Sequence, residues 1–442
     1  MKRGWVLVGL ALAGCAHPGS IALTDRERAQ VFVAQNQPEK AIPLLEALHL
    51  RTPNDLSIAR SLTEAHLKAG RADALIARLV SAKADTPVAH YMLGLAYFAR
   101  SAEATGAAQE ELERAIALAP REAELHYRLG LVLLESERYA AALAPLSQAL
   151  ALDPRREAIH LPLAKAFARA GDPVKAVAQL RELTQGAPSP SEVTTARALM
   201  AEIADPFARF PKAGKAKLEE GMTWLEDRDV PQQAIVAFEE ILRDFPDLSA
   251  VHALLGLAYQ RIDDSGRAIE EYRRAIELAP YDGKNHLYLG ELYLGHQRPR
   301  PAQEEFEKAI ALHPLLDDAY LHLGDLALEK RNLDQAQEIF RVLSHLEPDA
   351  IAPRGKLALV LQLKQDWKGA DRELRRVVEK DPENVEFLLR LGVLHTERYQ
   401  QAAGAAEKRS AAAEATLWLE QVLQRQPENA LASRELQTVR GR

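Results

Sequence analysis

The sequence predicts an all-α fold, a superhelical solenoid of stacked helical hairpins with about eleven repeats in two arrays, and three observations predict it. The first is the stretch Ser249–Asp282, in which apolar residues recur at Val251, Leu254, Leu255, Ala258 and Tyr259, the spacing of one helix face. Asp263, Asp264, Ser265 and Gly266 break that pattern with cap and turn residues, and a second face follows at Ala268, Ile269, Tyr272, Ala275 and Ile276. The second observation is register. Prolines fall at 120, 154 and 188, then at 246, 280, 314, 348 and 382, in steps of 34. The third is that no run reads as a β-strand, while aromatics make up only 6% of the chain. Two short helices with one apolar face each cannot bury themselves alone, so every unit needs its neighbours.

The key positions of the 249–282 unit are His252, Leu255, Gly256, Tyr259, Ala268, Tyr272 and Pro280. They resemble the tetratricopeptide repeat, whose first helix reads W-x2-L-G-x2-Y and whose second carries Ala, an aromatic and a closing Pro. The resemblance implies that the glycine and the alanine sit where the two helices of a hairpin cross. A larger side chain there would push the backbones apart.

Single units can then be placed. Residues 22–55 form the first, with a polar first helix that suits a terminal repeat; Thr24 and Glu27 make its capping box. Residues 56–86 are a shortened unit turning at Gly70, and 87–122 carry two extra residues in their turn. Units 123–156 and 157–190 follow in frame. Ser191 opens a lone helix with Val193, Ala196, Leu199, Met200 and Ile203 on one side, similar to the solvating helix that ends many such arrays. The expected organisation is therefore an N-terminal array at 22–204, a linker at 205–214 and a C-terminal array with closing helix at 215–442. In the second array Gly221 is displaced by one residue, and the last unit holds 11 additional residues that should lengthen its hairpin.

The start of the chain carries a different signal. Lys2 and Arg3 precede an apolar run from Trp5 to Ala13, too short to span a bilayer, and Leu12-Ala13-Gly14-Cys15 follows. That stretch resembles a bacterial lipobox. The resemblance implies a signal peptide over 1–14, a lipidated Cys15 and a short tether over 15–21, with Ala16 after the cysteine favouring outer-membrane delivery facing the periplasm.

Chemistry is sparse. Cys15 is the single cysteine, so neither a disulfide framework nor a multi-cysteine zinc site is expected. Net charge is −7, or −9 without the first fourteen residues, of which −8 lies beyond residue 204, and no basic face points to nucleic acid. Phosphate-loop, nucleophile-elbow and zinc-protease patterns do not occur. His90, His126, His160, His252 and His286 share the fourth position of five repeats, which puts them on five different hairpins, too far apart for one metal ion. No catalytic residue, cofactor or metal is expected.

The resemblance implies a non-enzymatic, lipid-anchored scaffold or assembly factor that binds other envelope proteins or extended peptides. The alternative is a carbohydrate-binding or structural subunit of an exopolysaccharide export or gliding-motility complex. In the family the concave face is lined by the second, fifth, ninth and twelfth residues of each first helix. Those positions bring Val88, Tyr91, Leu95 and Phe98 beside Tyr127, Leu131 and Leu134, with Leu161 following. The expected partner groove is that apolar strip.

Overall fold

A computed structural model describes residues 24–101, 104–205, 207 and 210–441. The expected signal peptide, Cys15 and the tether lie outside the described residues. Those residues form 24 α-helices, joined by short turns, and no strand. Eleven antiparallel hairpins account for all but two of the helices, which are α11 (Pro190–Ile203) and α24 (Ala430–Arg440).

The repeat is legible in the backbone as well as in the side chains. In nine of the eleven hairpins the turn carries a residue with a left-handed backbone, with φ between +50° and +88° at Asn36, Gly70, Glu137, Gly171, Asp229, Asp263, Gln297, Arg331 and Gln365. Only two of these nine are glycine, so most hairpins accept a strained residue there to keep the turn short. Side-chain caps then start the second helix: Asp264 accepts from the Arg267 amide, Asn332 from Gln335 and Asp366 from Gly369.

The crossing glycines are close-packed as expected. In α14 (Ser249–Arg261) a Cβ on Gly256 would lie 2.8 Å from the Tyr272 ring of α15 (Ser265–Leu278). In α16 (Gly283–Gly295) one on Gly290 would lie 2.6 Å from Phe306 of α17 (Pro299–Leu312). Gly221 makes the same contact with Phe238, although one residue more separates the two than in its neighbours. The extra residue is taken up as a π-helical turn, Thr223–Asp227, directly after α12 (Lys215–Met222). The 11 additional residues of the last repeat likewise become helix, giving 17 residues to α22 (Val385–Gln401) and 21 to α23 (Ala405–Arg425).

The chain divides into two compact units, residues 1–156 and 157–442. The first unit holds four hairpins. The second holds the fifth hairpin, α9 (His160–Arg169) with α10 (Pro173–Gln185), then α11 and all the later repeats. This differs from the boundary expected at 205–214. Leu180, Leu183, Val193, Ala196, Leu199 and Met200 share one apolar cluster with Tyr320, Phe340, Leu343 and Leu346. Polar contacts reinforce that seam. Arg181 donates to the Ala311 carbonyl at 2.6 Å, Arg341 donates to the Gln185 carbonyl at 2.9 Å, and Arg197 pairs with Asp317 at 2.5 Å. A break in repeat register is thus no break in packing, because α10 and α11 bury apolar side chains among later repeats. The cap of α11 is Ser189, not Ser191, with Glu192 closing the box.

Candidate functional site

The apolar strip expected to bind a partner is largely interior. In α5 (Pro87–Arg100) Val88, Tyr91 and Leu95 are buried, as is Leu134 in α7 (Ala123–Glu135). Phe98, Tyr127 and Leu131 are half-buried, and Leu161 of α9 packs against the core of the second unit. Tyr91 has no exposed surface, and its hydroxyl donates to Glu124 at 2.7 Å. Glu124 also takes Arg128 at 2.7 Å and pairs with Arg156, whose guanidinium stacks 4.2 Å above the Tyr127 ring. Burial and then the Glu124 charge push the Tyr91 phenol far up. Burial alone would raise the Glu124 carboxyl, but its arginine and tyrosine partners hold it below the usual range. The strip is therefore corrected from an open groove to packing between neighbouring first helices, sealed by a charged network.

The histidines of the shared register are packing residues, and the structure adds a reason for them. The Nδ1 of His90, His252 and His286 lies 2.6 Å from Glu111, Glu271 and Glu305 on the second helix of the same hairpin, and His160 meets Gln179 at 3.0 Å. They clamp hairpins shut. His252 also has its Nε2 2.9 Å from the Pro246 carbonyl, so both ring nitrogens face acceptors and both must carry a proton. Burial opposes the charged form, but those two hydrogen bonds outweigh it and raise the His252 pKa. Among the described residues no group of three or more histidine, cysteine or acidic side chains could hold a metal ion.

An open recess exists instead on the first helices of the second unit. Ala250, Ala253 and Leu257 of α14 face it, at the second, fifth and ninth positions, the first two of which carry bulkier side chains in the third and fourth repeats. Leu254, Met222 and Tyr288 complete an apolar floor, Phe207 forms one wall, and Asp282, Lys284 and Asn285 stand at the polar end. The space enclosed is about 150 Å³. Two alanines where other repeats place Val88 and Tyr91 create the hollow. That volume difference was the signal in the sequence, and an argument from apolarity alone passed over it.

The site's electrostatics are acidic. Asp282 caps α16 by accepting from the Lys284 amide at 3.0 Å; its burial raises the carboxyl pKa, and the Lys284 amide and charge pull the other way. Tyr288 is pushed up by burial and further by the carboxylates of Asp282, Glu291, Asp318 and Glu226. Its hydroxyl has no hydrogen-bond partner among the described residues. Asn285, 2% exposed, turns its amide to the Ala275 carbonyl at 3.3 Å and so stiffens the polar end.

Family models for the tetratricopeptide repeat match residues 103–157, 133–202, 249–282, 287–350 and 356–417, together more than half of the chain. The chain is a tetratricopeptide-repeat protein. The repeats have the architecture of scaffolds for protein–protein interaction. No curated protein matches the sequence significantly. Among solved structures, the chain is similar to YrrB, described as a TPR protein with an unusual peptide-binding site, at 18% identity, covering 45% of this chain and 96% of that one with a TM-score of 0.39. It is similar to Pseudomonas aeruginosa pilF at 20% identity, with 52% and 97% covered and a TM-score of 0.39. The APC/C Cut9–Hcn1 assembly matches at 13% identity over 93% of this chain and 95% of that one, with a TM-score of 0.37. Likeness at that level concerns the repeat fold only.

Proposed function

We propose that the protein is a non-enzymatic scaffold of a bacterial envelope, anchored by lipid at Cys15 to the outer membrane and facing the periplasm. Its concave recess at Leu257 and Tyr288 holds an extended segment of another envelope protein. The observation that carries the binding role is the recess itself: an open apolar floor, a tyrosine hydroxyl without a hydrogen-bond partner among the described residues, and a stiffened polar end. The anchor rests on the sequence alone, on Leu12-Ala13-Gly14-Cys15 after a charged start and an apolar run. Phe207 and Tyr288 are the aromatic residues among those described in the recess.

The test has two arms. Crosslinking and capture from detergent-solubilised envelopes should return defined envelope proteins, and Leu257→Arg should lose them while helical content stays unchanged. Mass spectrometry of the mature N-terminus should show acyl mass on Cys15, and Cys15→Ser should accumulate as uncut precursor. Unchanged capture by Leu257→Arg refutes the recess; a mature N-terminus without lipid refutes the anchor.

A further inference from the structure

The recess also carries information about what enters it. Asp282 lines the recess itself. Glu291 and Asp318 hold the ninth and second positions of α16 and α18 (Asp317–Glu329), the register that faces the recess in α14, and Glu226 lies in the π-helical turn that follows Met222. Burial and then the charges of all four push the Tyr288 phenol up. Asp318 and Glu226 are exposed and make no ion pair among the described residues. Glu291 meets the ring of His322 at 3.3 Å, and Lys284 is the cation set against the carboxylates. The floor between them, Leu254, Leu257 and Met222, is apolar. An acidic rim around an apolar floor repels acidic segments and attracts basic ones, over a range of about 10 Å at 0.1 M salt.

A second observation agrees with the charge. The wall of the recess is supplied by Phe207, which opens the basic stretch that continues through Lys212, Lys215 and Lys217. Its ring lies 5.9 Å from that of Phe210, which packs against the second unit's apolar cluster. The chain's own aromatic residue from a lysine-rich segment already lies against this floor. Lys217 goes on to pair with Glu240 of α13 (Pro231–Asp244).

We propose that the recess selects an extended peptide segment in which aromatic or large apolar side chains alternate with lysine or arginine. This inference rests on the reading of the recess as the binding site and names the chemistry of its occupant. The apolar side chain fills the hollow left by Ala250 and Ala253. The flanking cations meet Asp318 and Glu226, and a backbone carbonyl of the segment accepts a hydrogen bond from the Tyr288 hydroxyl.

The full chain is titrated into a short fluorescein-labelled peptide holding two phenylalanines, each flanked by lysines, and anisotropy is read. A matched peptide with glutamates in place of the lysines is the control. The lysine peptide should bind and weaken several-fold when salt is raised from 50 to 300 mM. The double variant Glu226→Lys, Asp318→Lys should weaken it at least tenfold, and both positions are exposed, so folding should persist by circular dichroism. Leu257→Arg should remove binding. Glutamate-peptide binding as tight as that of the lysine peptide, still lost in Leu257→Arg, overturns the basic chemistry and leaves the recess as the site. Failure of both peptides to bind overturns the inference outright. If envelope partners are then also captured normally by Leu257→Arg, the recess reading falls with it.

Discussion

Replacing Tyr91 tests whether the first unit offers a binding strip or a core. The ring is fully buried in α5, and its hydroxyl bridges to Glu124 on α7, one repeat away. Tyr91→Ala removes a large buried aromatic side chain, which costs about 3–5 kcal/mol through lost transfer energy and the cavity left behind. Tyr91→Phe keeps the ring and loses only the hydrogen bond to a carboxylate, about 1.5–3 kcal/mol, at the low end here because Arg128 and Arg156 still pair Glu124. The assay can be confined to the right unit. Among the described residues the tryptophans are Trp224, Trp367 and Trp418, all in the second unit. In a protein beginning at Ala16, which also lacks Trp5, tryptophan fluorescence follows the second unit while circular dichroism follows both. Tyr91→Ala should pull part of the dichroism transition down by about 2 M urea, taking a slope of about 2 kcal/mol/M, and leave the fluorescence midpoint in place. Tyr91→Phe should shift the same part by about half as much. A loss under about 1 kcal/mol for Tyr91→Ala would mean that the ring is exposed, and the packing argument would fail.

Four further outcomes follow from the same packing. Gly290→Ala places a methyl group 2.6 Å from the Phe306 ring and should cost about 1–3 kcal/mol, and much less in a Phe306→Ala background where the ring is gone; an equal cost in both backgrounds would remove the steric explanation. Deleting one residue from the π-helical turn Thr223–Asp227 should convert it to regular helix with little loss of melting temperature, whereas deleting one from the middle of α14 should cost several kcal/mol; equal losses would show that the turn is not a spare residue. The His252 pKa is raised by Glu271 and Pro246 against burial, so its stabilising contribution is complete below the unfolded value of about 6.5 and is lost as pH rises through the higher folded value. Urea midpoints between pH 6 and 8.5 should therefore fall more steeply in the parent than in His252→Gln, and parallel curves would refute the clamp. Protease nicking between 207 and 217 should leave two fragments that co-elute in gel filtration, because the α10–α11 seam still holds them, and Leu183→Asp with Arg197→Asp should release them; spontaneous separation of the parent fragments would contradict the seam.

Much of the fold follows from local rules. The 34-residue register, the helix lengths and the eleven hairpins come from a period of apolar side chains punctuated by turn residues and proline, all of which act within one repeat. Thr24 and Glu27 cap the first helix for the same reason. Gly221 showed as a displacement of one residue in the sequence; only the helix geometry shows that a π turn absorbs it.

Tertiary structure decided what depends on neighbours far along the chain. Tyr91 and Leu95 occupy positions that can face either a groove or the next helix, and the approach of α7 settles it by burying them. The linker at 205–214 interrupts the repeat, yet Leu183 and Met200 pack with Leu343 and Leu346, so the compact unit begins at Glu157. The recess arises from Ala250 and Ala253 in one helix and Tyr288 in the next, with Phe207 arriving from a turn more than forty residues earlier. A periodic sequence dictates each hairpin through contacts within the repeat. Which faces are left uncovered depends on how the hairpins stack, and side-chain volume at the stacking positions sets that.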